Sequence, residues 1–144
     1  FASMAGSIDI VCSPAYGAIV FGFATALASG RPFAFLQRGE DGRMTVRPGF
    51  TLLKPGSRVL LVEDVATTGG SISESIEALR QGGADVVAAG ILVDRTSGGL
   101  APGIPCRALL RSAAESWPAE ECPLCRQGVP LETPGSSGRK RDPV

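Results

Sequence analysis

The chain encodes an α/β domain with a central, mostly parallel sheet flanked by helices, and three features of the sequence predict it. Apolar runs such as residues 59–62 carry no polar alternation, which marks strands covered on both faces. Between such runs lie helical patterns, with Ile72, Ile76 and Leu79 at i, i+4 and i+7 forming one buried stripe. Strand and helix signals then alternate along the chain, an order that implies parallel pairing through right-handed crossovers.

Each element follows from its residues. Residues 8–13 read as the first strand. Ala15, Tyr16 and Gly17 make a tight turn, and residues 18–29 an Ala-rich helix ended by Gly30. Residues 32–36 are the second strand. The stretch 37–48 is polar, carries Gly and Arg, and reads as an exposed loop with hairpin character; residues 49–53 add a short strand. Lys54-Pro-Gly-Ser57 turns the chain into a strand over 58–63. Residues 71–81 form a helix, stopped by Gly82 and Gly83 as a left-handed cap. Residues 85–94 and 106–111 are the last strands. From Trp117 onward Pro and Gly are too dense for regular structure. The chain thus divides into a core, 1–116, and a Pro/Gly-rich tail, 117–144, whose end around Arg139-Lys140-Arg141 reads as solvated and disordered.

Composition limits the function classes. A chain of 144 residues with 44% hydrophobic and 19% charged residues is one domain with a proper core. Fourteen basic and fourteen acidic side chains cancel, so no basic field points to nucleic acid. No apolar run reaches the length of a membrane span, and no signal peptide with a charged start is visible, so a cytoplasmic protein is expected.

The most informative segment is Val59-Leu-Leu-Val-Glu-Asp-Val-Ala-Thr-Thr-Gly-Gly-Ser71. An apolar strand ends in two adjacent acids, Glu63 and Asp64, and a loop of small residues leads directly into a helix. Ligands of open α/β sheets bind outside the carboxyl ends of strands, where these acids fall. Carboxylates accept hydrogen bonds from vicinal hydroxyls and repel phosphate, so they suit a sugar. Thr67, Thr68, Gly69, Gly70 and Ser71 do the opposite: free N–H groups, hydroxyls and the positive end of a helix dipole favour an anion. Gly69 and Gly70 allow the backbone to approach a phosphate closely. Ser71 or Thr68 as a plain helix cap is the blander alternative. Neither Gly-x-x-x-x-Gly-Lys nor a Gly-x-Gly-x-x-Gly following a strand occurs.

This segment resembles the phosphoribosyl-pyrophosphate signature of the type I phosphoribosyltransferases, and the resemblance runs from about Ile8 to Arg95. Ala66 departs mildly, since the family carries a larger aliphatic there. The resemblance implies a set of roles. Glu63, Asp64, Val65, Ala66, Thr67, Thr68, Gly69, Gly70 and Ser71 would bind the ribose phosphate of the donor. Ala15, Tyr16, Gly17 and Arg38 would receive its pyrophosphate, with Arg38, Glu63 and Asp64 as the catalytic residues. Mg2+ would come with the donor's own oxygens, and no resident protein metal site is implied. The family's mobile loop supplies a lysine and a histidine; here residues 37–49 hold only Arg38, Arg43 and Arg47 as basic groups, and the chain has no histidine.

The pair Asp94-Arg95 at a strand end, and the tail from Pro118 to Cys125, resemble orotate phosphoribosyltransferases in particular. That implies a homodimer making orotidine 5'-monophosphate and pyrophosphate from orotate and phosphoribosyl pyrophosphate in pyrimidine biosynthesis, with Thr67 and Arg95 on the orotate. A purine or uracil phosphoribosyltransferase, or a non-enzymatic regulator that binds phosphoribosyl pyrophosphate, are the alternatives. Because the chain begins at Phe1 and enters a strand at once, the N-terminal hood of such a fold is expected to be missing.

Four cysteines remain. Cys12 lies in an apolar strand and Cys106 in a strand-like segment, and both read as core thiols. Cys122-Pro-Leu-Cys125 is half a zinc motif, completed only by sharing across a dimer. A thioredoxin-like role is disfavoured on the expectation that the motif lies in the irregular tail, away from a helix start.

Overall fold

The computed structural model describes residues 8–112 and 120–130, together with residues 1, 3, 115, 117 and 118. The chain falls into two units, Phe1–Ala114 and Glu115–Val144.

The first unit runs β1 (Ile10–Pro14), α1 (Ile19–Ser29), β2 (Phe33–Arg38), β3 (Met44–Val46), β4 (Arg58–Ala66), α2 (Gly70–Gln81), β5 (Asp85–Asp94) and β6 (Cys106–Arg111). Its six strands form one sheet in the order β3-β2-β1-β4-β5-β6. Every neighbouring pair is parallel except β2 and β3, which are antiparallel. The two central strands carry the longest uninterrupted burial: Ile10, Val11 and Cys12 on β1, and Val59, Leu60, Leu61 and Val62 on β4, are all at most 1% exposed. This is why neither shows a polar alternation.

The connections leave the sheet centre in opposite directions. From β1 the chain passes through α1 to β2 on one side; from β4 it passes through α2 to β5 on the other. Right-handed crossovers therefore put the two helices on opposite faces. Ile72, Ile76 and Leu79 of α2 pack with Ile10, Cys12 and Leu61 on one face. Ala26 of α1 packs with Val11, Leu60 and Val62 on the other. Alternate residues of one strand thus serve two separate cores.

Several elements differ from the sequence expectation. Residues 49–53 form turns and not a strand: Gly49 takes φ 102°, and the Thr51 N–H closes on the Gly49 carbonyl at 3.0 Å. Phe50 is nonetheless anchored, edge-on to Phe35 with centroids 5.1 Å apart. The hairpin character expected upstream is real, with β3 turning back on β2 through Gly42 at φ 77°. β4 continues three residues beyond Glu63, because β5 offers partners to Val65 and Ala66. The acids therefore sit just inside the strand's end and not at its tip.

In the second unit Pro123–Arg126 form a single helical turn, α3, where no regular structure was expected. Cys122 is its N-cap, and Pro123 occupies the first turn, where a missing N–H costs nothing.

Candidate functional site

The change of direction between β1 and β4 opens a crevice at the carboxyl edge of the sheet, the usual ligand position in such folds. Two segments border it: the turn after β1 and the end of β4 with the loop into α2.

On β4, successive side chains point to opposite faces. Glu63 follows the parity of Leu61 toward the α2 face and is 4% exposed; Asp64 points the other way and is half-buried. Both carboxylates are held by neighbouring backbone. The Asp64 N–H donates to Glu63 Oε1 at 3.1 Å, and the Val65 N–H donates to Asp64 Oδ1 at 2.8 Å. The Ser71 hydroxyl donates to Glu63 Oε2 at 2.8 Å. Burial, reinforced by the Asp64 side chain, pushes the Glu63 carboxyl up from 4.5 to about 7. Glu63 therefore changes charge near neutrality, within hydrogen-bond reach of the loop into α2.

The loop has the shape an anion needs. Gly69 is the N-cap of α2 with φ 81°, a left-handed conformation open to glycine. The N-cap residue has no side chain to cap the helix, and the Ser71 hydroxyl is engaged by Glu63 instead. The Gly70 N–H reaches Thr68 Oγ1 only at 3.3 Å. The N–H groups of Thr68, Gly69 and Ser71 donate to no protein acceptor among the described residues. Thr67, Thr68 and Gly70 are exposed. A Cβ on Gly70 would meet nothing closer than Thr68 Oγ1 at 3.5 Å, so the space above it is open.

Across the crevice, the Ala15 N–H is tied to the Leu36 carbonyl at 2.7 Å, while Tyr16 is 79% exposed. The Ala15–Tyr16 peptide bond is cis. Gly17 is the point of closest approach between the two segments: a Cβ there would collide with Asp64 Oδ2. Asp64 thus keeps one oxygen on its own strand and turns the other toward the Ala15–Gly17 turn.

Arg38 ends β2 beside α2. It donates to the Gly42 carbonyl at 2.6 Å and pairs with Glu74 at 2.8 Å. Glu74 was not singled out from sequence, although Ser71-Ile-Ser-Glu74 has the spacing of a capping box that would mark it. The other two arginines of this region have local partners. Arg47 lies over the Phe35 ring at 5.6 Å and donates to Gln37, and Arg43 stands 4.0 Å from Asp41.

Arg95 is brought next to the loop by its backbone, whose N–H donates to the Ala66 carbonyl at 2.8 Å. Its side chain is exposed and does not pair with Asp94. Asp94 instead accepts from the Thr96 N–H and hydroxyl at 2.9 and 2.6 Å and faces Arg111 at 3.8 Å. The two Thr96 hydrogen bonds hold its carboxyl below the usual range.

Among the described residues no group of three or more His, Cys, Asp or Glu is placed to hold a metal. Two adjacent carboxylates, Glu63 and Asp64, suit a hard cation that brings most of its oxygens with a ligand. No helix among the described residues is long and apolar enough to cross a membrane.

The profile of the phosphoribosyl transferase domain matches residues 1–122. The orotate phosphoribosyltransferase of Pelotomaculum thermopropionicum is 46% identical over 129 residues, spanning 90% of this chain and 67% of that protein. That of Thermotoga maritima is 42% identical over 133 residues, spanning 92% and 70%. Among solved structures, the orotate phosphoribosyltransferase of Aeropyrum pernix superposes with a TM-score of 0.58 at 30% identity, over 72% of this chain and 60% of that one. An adenine phosphoribosyltransferase from Rhodothermus marinus reaches a TM-score of 0.62 over 74% and 71%, but at 21% identity, a likeness of fold alone.

Proposed function

Since this chain belongs to the phosphoribosyltransferase family, and within it to the orotate phosphoribosyltransferases, we propose that the crevice between β1 and β4 transfers the 5-phosphoribosyl group of phosphoribosyl pyrophosphate to orotate. The products are orotidine 5'-monophosphate and pyrophosphate, in the synthesis of pyrimidine nucleotides. The observation that carries this reading is the pairing, at one crevice, of two carboxylates with a loop of unengaged N–H groups. One end suits a sugar's hydroxyls and the other a phosphate.

The roles follow from position. Glu63 and Asp64 hold the ribose, and their charge offsets the positive charge that grows at C1 as the bond to pyrophosphate loosens. The loop over residues 67–71 receives the 5'-phosphate, at the positive end of the α2 dipole. For Ser71 this requires its hydroxyl to leave Glu63 or to serve both groups. The Ala15–Gly17 turn takes the leaving pyrophosphate. Arg38 adds positive charge once it releases Glu74. Arg95, with Thr67, addresses the carboxylate of orotate by a charged hydrogen bond. The chemistry then rests on positioning and electrostatics, with no covalent protein intermediate.

Mg2+ would be carried by the donor and would supply charge neutralisation there, with Asp64, a half-buried carboxylate of the crevice, able to help hold it. A cytoplasmic homodimer completes the reading. The exposed Val20, Phe23 and Leu27 of α1 support association, since apolar groups clustered on one helix favour burial.

Incubation of the chain with phosphoribosyl pyrophosphate, Mg2+ and orotate, uracil or adenine, with pyrophosphate release as readout, tests this. Release with orotate in preference to the other bases is expected. Release with adenine or uracil instead would overturn the base assignment, and binding of the donor without turnover of any base would leave a regulator.

A further inference from the structure

The second unit contains a feature that the transfer reaction does not use. Cys122 and Cys125 lie three residues apart on one helical turn, with Cys122 at the N-cap in an extended conformation, φ −65° and ψ 120°. The Cys122 side chain makes no capping hydrogen bond and stands beside the Cys125 thiol at the start of the turn. Both sulfurs are free and only half-buried. Residues three apart on a helix have Cβ atoms roughly 5–6 Å apart, and an extended first residue lets the gap close to a disulfide.

The other cysteines show the contrast. Burial pushes the Cys12 thiol up to about 12, and burial also raises that of Cys106. Cys122 moves the opposite way, lowered first by the Cys125 backbone N–H, and Cys125 is raised first by the Cys122 side chain. The two thiols are thus unequal, one ionising more readily than its neighbour, the division of labour an exchange reaction needs. A zinc site would need two further ligands, and among the described residues no group of three is placed for one.

We propose that Cys122 and Cys125 form a thiol–disulfide exchange site for low-molecular-weight disulfides, with Cys122 attacking and Cys125 resolving. The Cys122 thiolate attacks one sulfur of the small disulfide, forming a mixed disulfide and expelling the other half as a thiolate. Cys125 then gives its proton to solvent and displaces the second half from Cys122. The protein loses two protons and two electrons, and the small disulfide takes up both to become two thiols.

The test uses the whole chain at pH 7, first reduced and then exposed to oxidised glutathione, with acid quenching, alkylation and peptide mass mapping. The expected result is loss of two hydrogens from the peptide holding Cys122 and Cys125, with Cys12 and Cys106 still free. Cys125→Ser should trap one glutathione on Cys122, and Cys122→Ser should trap none. Circular dichroism checks that both variants keep the fold. Three results would overturn the proposal: both thiols staying reduced, glutathione captured on Cys125 in the Cys122→Ser variant, or one zinc per two chains that shields both sulfurs until it is chelated.

Discussion

Replacing Glu63 with Gln should stabilise this protein above neutral pH while impairing its chemistry. Glu63 is 4% exposed, and its carboxyl is raised from 4.5 to about 7, first by burial. Its folded-state pKa lies above its unfolded one, so the folded state binds the extra proton between these values. The neutral form's advantage is complete below pH 4.5 and is lost as pH rises through about 7. At 1.36 kcal/mol per unit, ionised Glu63 costs the fold up to about 3 kcal/mol at pH 8. Glutamine keeps an acceptor for the Asp64 N–H and presents its NH2 to the Ser71 oxygen, so the local hydrogen bonds survive. Urea unfolding followed by circular dichroism should therefore show Glu63→Gln more stable by about 1–3 kcal/mol at pH 8. The margin should shrink toward zero as pH falls to 4.5. A margin independent of pH, or a variant less stable at pH 8, would refute the account of Glu63 as a buried acid held against its solvation. The same variant should lose more in kcat than in donor affinity, because a negative charge matters most when C1 becomes cationic.

Other perturbations probe the rest of the crevice. Asp64→Asn removes a group that raises the Glu63 carboxyl, so the midpoint of that pH-dependent stability should move to lower pH; an unmoved midpoint would show the two acids to be independent. Gly70→Val has room in the free protein, and should weaken binding of phosphoribosyl pyrophosphate at least tenfold, about 1.4 kcal/mol, by calorimetry at unchanged stability. Gly69→Ala behaves differently: at φ 81°, with Leu100 Cδ2 only 2.7 Å from the added Cβ, it should cost stability by about 1–2 kcal/mol in thermal unfolding. Arg95→Leu should narrow the preference for orotate over uracil by about 1.5–3 kcal/mol in kcat/KM and leave donor binding nearly intact. A preference that survives would place the orotate carboxylate elsewhere.

The sequence alone determined the periodic elements and the order of the candidate site. Unbroken apolar runs at 59–62 and 86–93, and the stripe at Ile72, Ile76 and Leu79, report burial that any α/β packing would impose, so they were legible locally. The acids followed by Thr67 to Ser71 were legible for the same reason: chain order is enough to put a strand end beside a helix start. Tertiary structure decided what depends on partners distant in sequence. β4 extends to Ala66 only because β5 pairs with it there, and the crevice exists only because β2 and β5 lie on opposite sides of the β1–β4 pair. Likewise Asp64 meets Gly17, Arg38 meets Glu74, and the Ser71 hydroxyl is turned to Glu63 and not left as a cap. Cys122 gained its helical turn from backbone hydrogen bonds to the Pro118, Cys122 and Leu124 carbonyls, within a segment whose Pro and Gly content argued for none. Local pattern records which side of an element is buried, but a contact's free energy is set by what the fold brings to the other side.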